Sequence, residues 1–174
     1  LSETALIDEA AQALGQDLGE LMDRAGQAIA REAERLAPRG TILVACGSGN
    51  NGGDGYVAAR LLAEAGRRVI VWPVLKPAST LGDREARRLP ESVIRVTAIP
   101  PEPVALIVDA ILGAGVRGKP REPVAGVLLA LGALAKNGAA VLAVDVPSGL
   151  GTELVLPATR TVCLQVAKAE LLKA

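Results

Sequence analysis

The sequence predicts an α/β domain built on a mostly parallel sheet. Three observations carry that reading. Short apolar runs recur along the chain, as at residues 41–46, 104–108 and 139–144. Helical patterns separate them, and strands alternating with helices form βαβ units. The apolar residues are almost all Ala, Val, Leu and Ile, with no Phe, one Trp and one Tyr. That set suits strands buried on both faces.

Residues 2–36 read as helical. A second helix within them spans 18–36, with Leu18, Leu21, Met22, Ala25, Ile29 and Leu36 near a 3.6-residue period. Pro38 and Gly40 end it. Residues 41–46 form a short apolar strand meeting a glycine loop. Residues 54–65 read as a helix stopped by Gly66. A strand follows at 68–74, then a short charged helix within 79–90 and a short strand at 93–96. Residues 104–109 are a buried strand ending in Asp109. A glycine-rich loop at 113–118 leads to a helix at 123–135, with Pro123 suited to its first turn. Residues 139–145 are a buried strand ending in Asp145, and 161–166 a last strand. No repeat, low-complexity segment or linker divides the chain, so residues 1–174 read as a single domain.

Bulk composition excludes several function classes. Nineteen basic residues balance nineteen acidic ones, so no global positive field is available for nucleic acid. No apolar run approaches the roughly 20 residues of a membrane span, and no signal-peptide pattern is visible. Cys46 and Cys163 lie in apolar, strand-like runs, and there is no histidine. Two isolated cysteines without histidine cannot form the usual zinc sites. They make no disulfide framework either, which fits a reducing compartment and a cytoplasmic location. Without histidine, a general base must be a carboxylate, Lys, Tyr, Cys or water.

Three strands end in polar or glycine-rich sequence, and in open parallel sheets ligands bind outside the carboxyl ends of strands. The first runs into Gly47-Ser48-Gly49-Asn50-Asn51-Gly52-Gly53-Asp54-Gly55. Its glycines let backbone N–H groups approach an anion, and the following helix adds its N-terminal partial charge. Asp54 equally suits a helix cap. The stretch 47–52 matches G-x-G-x-x-G, but the next strand ends without the ribose-binding acid of a standard dehydrogenase. No Gly-Lys-Ser/Thr is present, which excludes a P-loop NTPase. The second strand ends in Asp109 and the loop 113–119, and the third in Asp145-Val146-Pro147-Ser148-Gly149. A carboxylate at the tip of a buried strand is partly desolvated, which raises its pKa unless donors or a cation compensate. Either acid also suits a hydrogen bond to loop amides. With Asn51 and Ser148 they make an oxygen-rich set of the kind hard cations prefer. Arg117 and Lys119 could pair with phosphates or sit on the surface.

These runs, in this order, resemble the YjeF N-terminal domain family, the NAD(P)H-hydrate epimerases. The resemblance is carried by Gly49 to Gly55, Val108-Asp109-Ala110-Ile111, Gly118 to Pro123 and Val144 to Gly149. Leu21-Met22-Asp23-Arg24-Ala25-Gly26 is similar to the family's beginning. The resemblance implies a Rossmann-like three-layer αβα sandwich, a homodimer, and interconversion of the R and S forms of hydrated NADH or NADPH. It also implies a functional partner or fused domain, the NAD(P)H-hydrate dehydratase. One substrate loop falls on Asn50, Asn51, Gly52, Gly53 and Asp54. A second falls on Gly113, Ala114, Gly115, Val116, Arg117, Gly118 and Lys119, with a further contact at Asp145. Potassium ligands fall on Asn51, Asp109 and Ser148. Asp145 is the first choice for proton transfer and Asp109 the second. Arg117 stands where the family often has Lys; it keeps the charge but cannot shuttle a proton at neutral pH. The same fold also serves as a non-catalytic binding or dimeric scaffold module.

Overall fold

A computed structural model describes residues 17–164. The helical reading of residues 2–16 and the strand reading of 165–166 lie outside them. The elements run α1 (Leu18–Leu36), β1 (Thr41–Cys46), α2 (Asn50–Glu64), β2 (Val69–Pro73), α3 (Thr80–Arg87), β3 (Ile94–Arg95), β4 (Val104–Ala110), α4 (Val124–Lys136), β5 (Ala140–Val144) and β6 (Arg160–Val162).

The six strands form one parallel sheet in the order β3-β2-β1-β4-β5-β6. β1 is buried along its whole length. Its side chains alternate between two cores, as strand geometry requires. Ile42, Val44 and Cys46 meet Ile29 and Ala33 of α1 and Tyr56, Ala59 and Leu62 of α2. Leu43 and Ala45 face the other way, toward Val124, Val127, Leu128 and Leu131 of α4. Helices on both faces of a parallel sheet give the Rossmann-like αβα sandwich that the apolar runs pointed to.

One boundary differs in a way that matters. The sequence places the helix after β1 at residue 54, yet α2 starts at Asn50. Glycine disfavours helix interiors on entropic grounds, so the pair Gly52-Gly53 reads as loop. Close packing reverses that preference. A Cβ on Gly52 would lie 2.1 Å from the Gly47 carbonyl oxygen, and one on Gly53 would lie 2.5 Å from Met22 Cε. Only glycine lets the first turn of α2 approach both the turn behind it and the helix beside it. Strands β2, β3, β5 and β6 are also shorter than expected, and the last two matter for the site. β5 stops before Asp145, whose φ of 68° leaves the extended region, and β6 stops before Cys163, which is exposed rather than strand-buried.

Candidate active site

The strand order reverses between β1 and β4. In a doubly wound sheet this is where chains leave their strands in opposite directions and open a crevice. A cleft of about 610 Å³ lies there, within the usual size range of small-molecule sites. Asn50, Asn51 and Asp54 of α2, Gly113 to Val116 and Asp145 line it. The three strand ends singled out in the sequence thus meet in one space.

The first wall is the turn from β1 into α2. Gly47 donates its N–H to the Ala110 carbonyl at 3.0 Å. A Cβ there would stand 1.9 Å from the Ile111 carbonyl oxygen, so glycine is required where the segments leaving the paired strands β1 and β4 touch. Gly49 is the N-cap of α2 and has no side chain to accept from the first-turn N–H groups. No acidic residue occupies that turn. The helix therefore presents its positive end toward the cleft without an internal counter-charge. Asp54 does not cap the helix; it lies one turn inside, buried, and still reaches the cleft wall.

The two strand-end acids have different environments. Asp145 has a φ of 68°, in the left-handed region that residues other than glycine rarely adopt. Its N–H donates to the Val162 carbonyl at 2.8 Å, and its Oδ2 accepts from the Ala114 N–H at 2.8 Å. It remains on the cleft wall. Asp109 lies within β4, one residue before its end, and is wholly buried. Its Oδ1 accepts from the Ser148 hydroxyl at 2.6 Å and the Ile111 N–H at 3.3 Å, and its Oδ2 from the Ser148 N–H at 2.8 Å. Burial pushes its pKa up to about 6, opposed first by the Ser148 hydroxyl and then by the two amides. Ser148 Oγ in turn accepts from the Leu112 N–H at 3.0 Å. Asp109 and Ser148 thus brace the loop that carries Gly113 and Ala114, and neither lines the cleft.

Asn51 stands against that braced loop. A Cβ built on Gly113 would lie 3.2 Å from Asp145 Oδ2 and 3.5 Å from Asn51 Cβ. Both polar atoms of the Asn51 carboxamide are buried without a hydrogen-bond partner among the described residues. Such a group costs about 1–3 kcal/mol to keep dry and unpaired.

The remaining sequence-derived residues divide clearly. Gly52 and Gly53 face the packing contacts described above. Arg117 and Gly118 are exposed and do not form the cleft wall, and Lys119 is exposed and ion-paired with Glu153. The sequence analysis missed the opposite wall, which α1 provides through Leu21, Arg24, Ala25 and Ala28, with Leu81 of α3 beside them. Its signal was the run 21–26, noticed for its resemblance but not for its chemistry. Among non-carboxylate bases, Cys46 and Tyr56 are buried and their pKa values are pushed up by desolvation, Tyr56 also by Cys46. Cys163 reaches the cleft wall, with its Sγ 4.0 Å from the Asp145 carbonyl oxygen.

Comparison with known proteins bears on this arrangement. Residues 18–169 match the family described as YjeF-related protein N-terminus. A "Bifunctional NAD(P)H-hydrate repair enzyme Nnr" of Hyperthermus butylicus is 37% identical over 87% of this chain and 30% of its own length. The Escherichia coli enzyme of the same name is 41% identical over 83% of this chain and 29% of its own. An "NAD(P)H-hydrate epimerase" of Clavibacter michiganensis is 35% identical over 88% of this chain and 75% of its own. The chain therefore spans about a third or less of the bifunctional relatives and three quarters of the single-activity one. The crystal structure of the yeast protein YNL200c superposes with a TM-score of 0.85 at 27% identity, covering 98% of this chain and 81% of that one.

Proposed function

Because the chain belongs to the YjeF-related protein N-terminus family, we propose that its cleft epimerises hydrated NADH and NADPH, interconverting their R and S forms. The observation that carries the reading is Asp145. It is a carboxylate held on the cleft wall by a left-handed backbone and an amide bond, directly across the Gly113 turn from Asn51. The first turn of α2 suits the substrate's pyrophosphate, because uncapped N–H groups and the helix dipole favour an anion there. The nicotinamide end would then reach Asp145. Protonation of the ring hydroxyl by the Asp145 carboxyl releases water. Water then adds to the opposite face of the ring and returns the proton to the carboxylate. Asp109 acts behind this surface by holding Ser148 and the loop that positions Ala114.

A potassium ion fits the donor set of Asn51, Asp109 and Ser148. The three supply a carboxamide oxygen, a single buried carboxylate and a hydroxyl, hard donors whose summed charge suits a monovalent cation. The support is the buried Asn51 carboxamide, which has no hydrogen-bond partner among the described residues. The ion would supply fixed positive charge beside the phosphate-binding turn. The proposal extends to a homodimer in the cytoplasm, acting with an NAD(P)H-hydrate dehydratase. No helix among the described residues is long and apolar enough to cross a membrane.

The test is direct. Racemic hydrated NADPH is incubated with a stereospecific dehydratase, and conversion of the R form is followed. Wild-type protein accelerates that conversion. Asp145→Asn slows it by about 10²- to 10⁴-fold, the usual range for a lost acid–base group, and retains nucleotide binding. Spontaneous-rate conversion with the wild type would favour a non-catalytic binding module instead.

A further inference from the structure

We propose that Arg24 of α1 is the residue that pairs with a phosphoryl group of the dinucleotide. This rests on the epimerase reading for the identity of the ligand, and on the geometry of the cleft for the residue.

The sequence offered Arg117 and Lys119 as phosphate partners. Neither forms the cleft wall, and Lys119 is committed to Glu153. Among the described residues that line the cleft, Arg24 is the only basic side chain. The same wall carries the carboxylates Asp54 and Asp145. A ligand bearing a pyrophosphate, and in its NADPH form a further phosphate, brings a strongly negative group into this space. The α2 N-terminus contributes only about half an elementary charge against it. Among the described side chains that line the cleft, the Arg24 guanidinium is the one full positive charge, and its planar donor fork matches phosphate oxygens.

Arg24 sits where such a role requires. Leu21, Arg24 and Ala28 recur at three- and four-residue spacing and share the helix face turned to the cleft. α1 packs beside α2, with Met22 against Gly53 and Gly26 against Val57. Helical side chains lean toward their own N-terminus, so Arg24 leans along α1 toward the level at which α2 begins. Three arginines of the neighbouring α2 and α3 segments are engaged. Arg60 pairs with Asp23 and Glu64, and Arg84 and Arg88 pair with Glu85. Glu20, four residues before Arg24, is at ideal spacing for an ion pair on a helix. No ion pair or hydrogen bond joins Arg24 to it or to any other described residue. An arginine with no ion pair among the described residues, on the wall of a cleft read as accepting phosphate, is available to the ligand.

The experiment uses Arg24→Gln and Arg24→Lys. Epimerisation of hydrated NADH and hydrated NADPH is measured for each, together with calorimetric binding of NAD+ and NADP+, which carry the same phosphates and need no turnover. Arg24→Gln raises KM and Kd by about 10- to 100-fold, the worth of a charge-assisted hydrogen bond, with kcat nearly unchanged. Arg24→Lys recovers part of the loss. Equal losses for both dinucleotides place Arg24 on the pyrophosphate. A loss confined to the NADPH and NADP+ arms places it on the 2′-phosphate. Unchanged KM and Kd in Arg24→Gln overturn the proposal while leaving the epimerase reading intact. Dinucleotide binding that weakens in the variant, with no epimerisation by the wild type, overturns the activity reading and leaves Arg24 in place. A wild type that neither binds nor turns over overturns both.

Discussion

At the scale of single residues, the two acids show how burial divides similar sequence signals. Asp109 and Asp145 both follow apolar runs, yet one is sealed beneath a loop and the other faces the cleft. Asp109 gives a pH signature. Its pKa rises from 3.8 in the unfolded reference to about 6 in the fold because burial penalises the charged form. The folded state then holds the proton more tightly than the unfolded chain. The stabilisation is complete below the unfolded pKa and is lost as pH rises through the folded one. Two units correspond to about 3 kcal/mol. In potassium-free buffer, urea denaturation of the wild type loses stability between about pH 4 and pH 6, and Asp109→Asn removes that slope. A wild-type stability that instead rises over this window would show the Ser148 and Ile111 hydrogen bonds outweighing burial.

At the scale of elements, the contact between α1 and α2 determines the cleft, because α1 is its far wall. That contact depends on missing side chains. A Cβ on Gly26 would lie 2.2 Å from Val57 Cγ1 and 3.2 Å from the Ala58 nitrogen. Gly26→Ala therefore pushes the helices apart and destabilises the protein by about 1–3 kcal/mol, the usual cost of overpacking. Chemical denaturation measures it, and KM for the hydrated cofactor rises in the same variant as Arg24 and Leu21 withdraw. A second tie lies in the charged layer of α1, α2 and α3. Glu85 is buried between Arg84 at 2.9 Å and Arg88 at 3.0 Å, with Arg60 at 4.0 Å. Its hydrogen-bonded arginines are half exposed and can be resolvated, so removing the carboxylate costs about 1–3 kcal/mol. Thermal melts of Glu85→Ala should show that loss. A variant as stable as the wild type would show that the carboxylate does not hold the three helices together.

At the scale of the whole molecule, the sheet order places the cleft and ligand binding feeds back on stability. A ligand bound only by the folded state stabilises it by about 2.7 kcal/mol at a hundredfold excess over its Kd. For a chain of this size that is a rise in Tm of roughly 5–10 °C. Potassium chloride should produce such a rise relative to choline chloride at equal ionic strength, and Asn51→Ala should remove it. An equal effect of the two salts would exclude the cation from the Asn51, Asp109 and Ser148 set. Sedimentation equilibrium tests the homodimer, a monomer mass across micromolar concentrations being the opposing result.

The sequence by itself determined the parallel sheet, because unbroken Ala, Val, Leu and Ile runs can be buried only with helices on both faces. It also singled out the strand ends that meet at the cleft, since Asn50-Asn51, Asp109 and Asp145 follow directly from local order. The tertiary structure decided the rest. Gly52 and Gly53 belong to a helix because Gly47 and Met22 press against them from elements apart in sequence. Arg24 belongs to the cleft, and Arg117 and Lys119 do not form its wall, because helix packing and an ion pair place them. Asp109 is sealed away from the cleft while Asp145, also largely buried, still reaches its wall, because different loops pack over the two strand ends. Local periodicity reports which face of an element is buried. What that face meets depends on contacts between elements that only the folded chain brings together.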